Sequence, residues 1–147
     1  MEAFEQIEIL LVEDNPRDAE LTMRALKKGG LANQLLWVKD GQQALDYLFR
    51  KGEYAGRGEH QPRLVLLDLK MPRVDGIEVL RTIRQEPRTK TIPVVVMTSS
   101  QEESDVARTY DIGVNSYVVK PVDFNAMTEL VRQAGYYWLA INRVPSG

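Results

Sequence analysis

The chain has 147 residues, 44% hydrophobic and 27% charged, enough apolar surface for a folded core and too much for intrinsic disorder. Its formal net charge of -2 disfavours a general nucleic-acid binder, and no run reaches the roughly 18 apolar residues that span a bilayer, so neither nucleic acid nor membrane is an expected partner. With no cysteine there is no disulfide, thiol nucleophile or thiolate metal site.

In chain order, Met1 to Gln6 carry acids and no basic region, unlike a secretory signal, so a cytoplasmic protein is expected. Ile7 to Val12 read as a buried strand. Pro16 suits a first helical position behind Asp14 or Asn15 as cap; Ala19, Met23 and Leu26 share a face, and Gly29-Gly30 end the helix. Gln34 to Val38 form a second strand, and Asp40-Gly41 turn into a helix whose inner face is Ala44, Leu45, Leu48 and Phe49. Lys51 to Pro62 read as a polar loop containing His60, expected to be solvated. Leu64 to Leu67 are a continuous apolar strand ending at Asp68, and Asp75-Gly76 are a turn. A third helix buries Ile77, Val79, Leu80 and Ile83, with Arg81, Arg84, Arg88 and Lys90 expected on a solvated face.

Pro93 to Met97 form a strand ending at Thr98. Ser100 and Glu103 predict a capping box for a fourth helix with Val106, Ala107 and Tyr110 inward and Gly113 at its end. Ser116 to Val119 form the last strand, ending at Lys120-Pro121. Asp123 caps a fifth helix with Met127, Leu130, Val131, Ala134, Trp138 and Ile141 on one face. Tyr136 and Tyr137 either pad its end or form an apolar patch for a partner. Gly135 within it suits a close packing contact or a weak point.

Five βα repeats with continuous apolar strands predict a doubly wound α/β fold around a five-stranded parallel sheet. A single domain over residues 1–147 is expected, with its core at about 7–139 and its C-terminal helix reaching about 144. In such sheets the binding crevice lies beyond the carboxyl ends of the strands. Standing there are Glu13, Asp14, Asp68, Thr98 and Lys120. Three converging carboxylates repel unless a divalent cation offsets them, and hard oxygen ligands select Mg²⁺. An aspartate beside Mg²⁺ and a lysine is a nucleophile toward phosphorus, with metal, ammonium and the Thr98 hydroxyl steadying the transferring group. The chemistry points to a phosphoryl acceptor centred on Asp68.

Glu13-Asp14, Asp68 to Gly76, Thr98-Ser99 and Lys120-Pro121, in that order at successive strand ends, resemble the signature of a bacterial response-regulator receiver domain of the chemotaxis type. The resemblance runs from about Ile7 to about Leu139. It implies a flavodoxin-like (βα)5 fold with strand order 2-1-3-4-5. It also implies phosphorylation of Asp68 by a partner histidine kinase, and Mg²⁺ held by Glu13, Asp14, Asp68 and the Lys70 backbone carbonyl. Thr98 would bond the phosphoryl group, Lys120 would pair with it, and Tyr117 would be the switch aromatic. A cis Lys120–Pro121 bond is implied too. A switched surface would comprise the fourth helix, fifth strand and fifth helix. More narrowly, the Lys51 to Pro62 loop and the Tyr136-Tyr137-Trp138-Leu139 tail are similar to stand-alone regulators paired with phytochrome kinases, which implies a homodimer.

Three other readings fit less well. A Mg²⁺-dependent phosphohydrolase with an aspartyl-phosphate intermediate normally has a second aspartate where Lys70 stands. A nucleotide or flavin binder needs a glycine-rich cradle that Glu13 to Asp18 do not provide. A DNA-binding regulator needs an output domain, for which too few residues follow the expected core.

Overall fold

The computed structural model describes residues 7–30 and 34–145. Five parallel strands, β1 (Ile9–Val12), β2 (Leu35–Val38), β3 (Leu64–Leu67), β4 (Val94–Thr98) and β5 (Ser116–Val119), form one sheet in the order β2-β1-β3-β4-β5. The helices are α1 (Pro16–Lys28), α2 (Gly41–Leu48), α3 (Gly76–Gln85), α4 (Glu103–Ile112) and α5 (Phe124–Tyr136). This is the flavodoxin-like arrangement expected.

The strands read as unbroken apolar runs because successive side chains enter different cores. Leu10, Val12, Val65 and Leu67 pack with α2 and α3, whereas Ile9, Leu11, Leu64 and Leu66 pack with α1 and α5. Each fully buried leucine contributes roughly 1.5–3 kcal/mol. The helices start where short polar side chains accept backbone amides. Asn15 accepts from Arg17 and Asp18; Asp40, Asp75 and Asp123 do the same for α2, α3 and α5. The caps Asn15, Asp40 and Asp123 lie within four residues of the strand ends before them, so the sheet's carboxyl edge and these helix starts form one rim.

Three expectations about elements are corrected. Ser100 does not cap α4, whose N-cap is Glu102 with no side-chain bond, and the inward residues are Asp105 and Thr109. Ala107 and Tyr110 are exposed and Val106 is only half-buried. Polar groups face inward there because each finds a partner: the Thr109 hydroxyl donates to the Asp105 and Val106 carbonyls, and Asp105 accepts from Ser100. The fifth helix does not continue regularly to 144. It passes at Tyr137–Ile141 into a π-helical turn, and Asn142 is extended. Gly135 is buried in the regular part of α5 and Leu139 in the π-helical turn, while Ile141 is exposed.

The remaining corrections concern basic side chains. Arg84 is not on a solvated face: it donates to the carbonyls of Gly113 (2.7 Å) and Ile92 (2.8 Å) and to the Asn115 side chain (2.6 Å), tying α3 to the turn before β5. The loop after α2 is anchored by Arg57, buried over the Tyr47 ring and donating to the carbonyls of Tyr47, Leu48, Gly58 and His60. His60, carried on this anchored loop, is half-buried rather than solvated, and its Nε2 is buried without a hydrogen-bond partner.

Candidate functional site

At the carboxyl edge, Glu13 follows β1, Asp68 follows β3, Thr98 ends β4 and Lys120 follows β5. Because β1 and β3 are neighbours, Glu13 and Asp68 stand side by side, both buried. Asp14 is exposed at the rim, and one oxygen from each of Glu13, Asp14 and Asp68 lies within 4.8 Å of the others. An all-oxygen, acidic set of this kind fits a hard divalent cation.

Lys120 enters from the far side of the sheet. Its side chain is 9% exposed, and its Nζ donates to Glu13 Oε1 at 2.7 Å, Asp18 Oδ2 at 3.0 Å and Asp68 Oδ2 at 3.5 Å. Burial alone would lower the Lys120 ammonium. The hydrogen bond to Glu13 and the charges of Asp68 and Glu13 outweigh it, and the group is held above its ordinary value. Burial pushes the Glu13 carboxyl up to about 7 against the pull of Lys120, with the Asp68 charge adding to the rise. The backbone fixes the acids. Asp68 Oδ1 accepts from the Leu69 amide at 2.8 Å, which turns Oδ2 toward Lys120. The Trp37 indole donates to the Glu13 carbonyl at 2.7 Å.

The sequence gives no signal for Trp37 as a site neighbour beyond its place on a strand beside β1. Asp18 is also absent from the expected site residues, since the sequence places it only among the acids of the first βα turn. Its position three residues into α1 is the available clue, since a helix start beside β1 faces the same rim. Gly76, read as turn only, lies against the end of β3: a Cβ there would overlap the Asp68 carbonyl oxygen and stand 2.7 Å from Leu69 Cα.

A second group of side chains leads away from the acids. Thr98, 1% exposed, accepts the Ser100 amide at 3.3 Å. The Ser100 hydroxyl donates to Asp105 Oδ2 at 2.6 Å, and the Tyr117 hydroxyl donates to the Ser100 carbonyl at 3.0 Å. Burial raises the Tyr117 hydroxyl above its ordinary value despite that bond to Ser100. The Lys70 side chain is exposed and reaches Asp105 at 3.9 Å, so it does not share the acid cluster. The Lys120–Pro121 bond is trans, not cis; trans is the favoured isomer of such bonds by about 0.5–1 kcal/mol.

Residues 9–132 match the response regulator receiver domain. The chain belongs to this family. It is 45% identical over 145 residues to the probable methanogenesis regulatory protein FilR2 of Methanothrix harundinacea, covering 99% of this chain and 92% of that one. The response regulator Rcp1 of Synechocystis is 38% identical over 138 residues, covering 94% of this chain and 92% of Rcp1, and its Mn²⁺-bound crystal structure superimposes with a TM-score of 0.87. The phosphorylated cyanobacterial phytochrome response regulator RcpA, also 38% identical, gives a TM-score of 0.89 over 97% of this chain and all of that one. Receiver domains are two-component signal transducers that work with a histidine kinase and a divalent metal, and this chain is similar to the phytochrome response regulators.

Proposed function

We propose that Asp68 of this single receiver domain is the phosphoryl acceptor, that Mg²⁺ is the metal, and that the donor is a phytochrome-type histidine kinase. The observation that carries the reading is the Lys120 ammonium held among Glu13 and Asp68 where the three-acid cluster forms. Glu13, Asp14, Asp68 and the Lys70 carbonyl would hold the ion, whose chemistry is to neutralise charge on the transferring group. An Asp68 carboxylate oxygen forms the new bond to phosphorus as the nitrogen–phosphorus bond of the donor histidine breaks. Lys120 faces one equatorial oxygen and Thr98 donates its hydroxyl to another. Loss of the phosphoryl group to water is the only turnover assigned. Action on outside phosphoesters is disfavoured, because Lys70 stands where such hydrolases carry a second acid and its side chain points to Asp105.

The switch follows from the Thr98-Ser100-Tyr117 connection. A phosphoryl group that draws Thr98 toward it pulls on the Ser100 amide bonded to Thr98, and Tyr117 is bonded to the same residue. Tyr117 then turns and the α4-β5-α5 surface changes, a population shift biased by local contacts. Exposed Tyr110, Val122 and Phe124 on that surface, and Tyr136, Tyr137 and Ile141 at the end of α5, support homodimer formation.

The test is intact-mass measurement after incubation with Mg²⁺ and a small acyl phosphate. A phosphate-sized gain that disappears on chelation of the metal and in Asp68→Asn is expected. A gain that survives Asp68→Asn refutes the assignment.

A further inference from the structure

Lys120 has three N–H donors, and all three are directed at carboxylates. The contact with Asp68 is the longest, at 3.5 Å; those with Glu13 and Asp18 are 2.7 and 3.0 Å. Glu13 belongs to the three-acid cluster that suits a cation, and Asp18 does not. Asp18 is thus a carboxylate whose contact in the site is with the ammonium.

Its placement is built rather than incidental. The Asn15 side chain accepts the Asp18 amide at 3.2 Å and the Arg17 amide at 2.9 Å, which locks the first turn of α1 against the rim. The Asp18 carboxylate also gains from the positive end of the helix. Its side chain remains 32% exposed, whereas that of Lys120 is 9% exposed.

We infer that Asp18 is a positioning residue that competes with the phosphoryl group for Lys120 and so restrains phosphorylation. The inference rests on the reading of Asp68 as acceptor. A phosphoryl group on Asp68 carries roughly 1.5–2 negative charges and three acceptor oxygens, and it needs the ammonium turned toward it. With Glu13 given over to the metal, Asp18 is the partner from which Lys120 must be taken. The Asp18 charge also opposes an incoming anion, so both effects act in the same direction.

Replacing Asp18 by asparagine keeps the size and removes the charge. Lys120 then turns more fully to Glu13 and Asp68, where it competes with the cation. The variant is therefore expected to bind Mg²⁺ several-fold more weakly, measured by titrating tryptophan fluorescence with Mg²⁺ alone; Trp37 lies on the Glu13 backbone and reports on the site. At saturating Mg²⁺ it is expected to accept phosphate from a small acyl phosphate about tenfold faster, the factor given by about 1.4 kcal/mol. Asp18→Glu, which restores the charge, should return both quantities toward the parent values. A merely structural role for Asp18 would not weaken one step while speeding the other.

An unchanged or slower rate in Asp18→Asn, with the parent chain phosphorylated normally, overturns this inference and leaves the acceptor assignment standing. A parent chain that gains no phosphate overturns both.

Discussion

Lys120 is the residue on which the most charge depends. Its removal leaves Glu13 and Asp68, both buried, without their cation. Breaking a buried pair from one side costs about 3–5 kcal/mol, and protonation of Glu13, already pushed up to about 7, offsets part of this. We expect Lys120→Ala to lose about 2–3 kcal/mol of stability in denaturant titration without metal. We also expect Mg²⁺ to raise the unfolding midpoint of this variant more than that of the parent, because the cation then replaces the ammonium among the acids. Equal shifts in the two proteins would show that Lys120 and the metal do not share a site. At this scale the sequence was informative about residues that end strands. It was silent about residues that reach the site from helices, since Asp18 and Asp105 have the spacing of ordinary helix positions and only their partners mark them out.

Elements differ in how well their patterns report burial. The strands β3 and β4 and the helix α3 were legible because apolar residues fill nearly all their buried positions and the α3 cap, Asp75, is a short polar side chain. α4 was misread because its inward face is polar, so the apolar residues Val106, Ala107 and Tyr110 mark the wrong side. The end of α5 was misread because a π-helical turn changes the period on which the reading depends. The close approach of α3 to β3 also escapes a pattern reading, since a single glycine carries it. Gly76→Ala should cost about 2–3 kcal/mol, because the added methyl meets backbone that cannot yield. It should also slow phosphorylation by displacing Asp68. Gly58→Ala, where a Cβ meets nothing within 4 Å, is the control expected to be near neutral in the same denaturant titration.

For the whole molecule, fold and site come from one arrangement: two cores on opposite faces of the sheet leave its carboxyl edge to the polar residues. The exposed side chains Tyr110 (55%), Phe124 (57%) and Tyr136 (57%) belong to the α4 and α5 side of the molecule. If they support self-association, light scattering at micromolar concentration should give twice the chain mass, and Phe124→Ser combined with Tyr136→Ser should give the single-chain mass with phosphorylation intact. A monomeric parent, with and without phosphate, would refute the dimer.

Glu13 and Lys120 meet although 107 positions separate them along the chain. A ribosome-bound polypeptide therefore has its acids long before the ammonium that belongs with them, and β5 must dock on the edge of the sheet before the pocket is whole. The charge balance of the pocket is thereby tied to completed folding: a half-made or frayed molecule has buried acids with no ammonium among them.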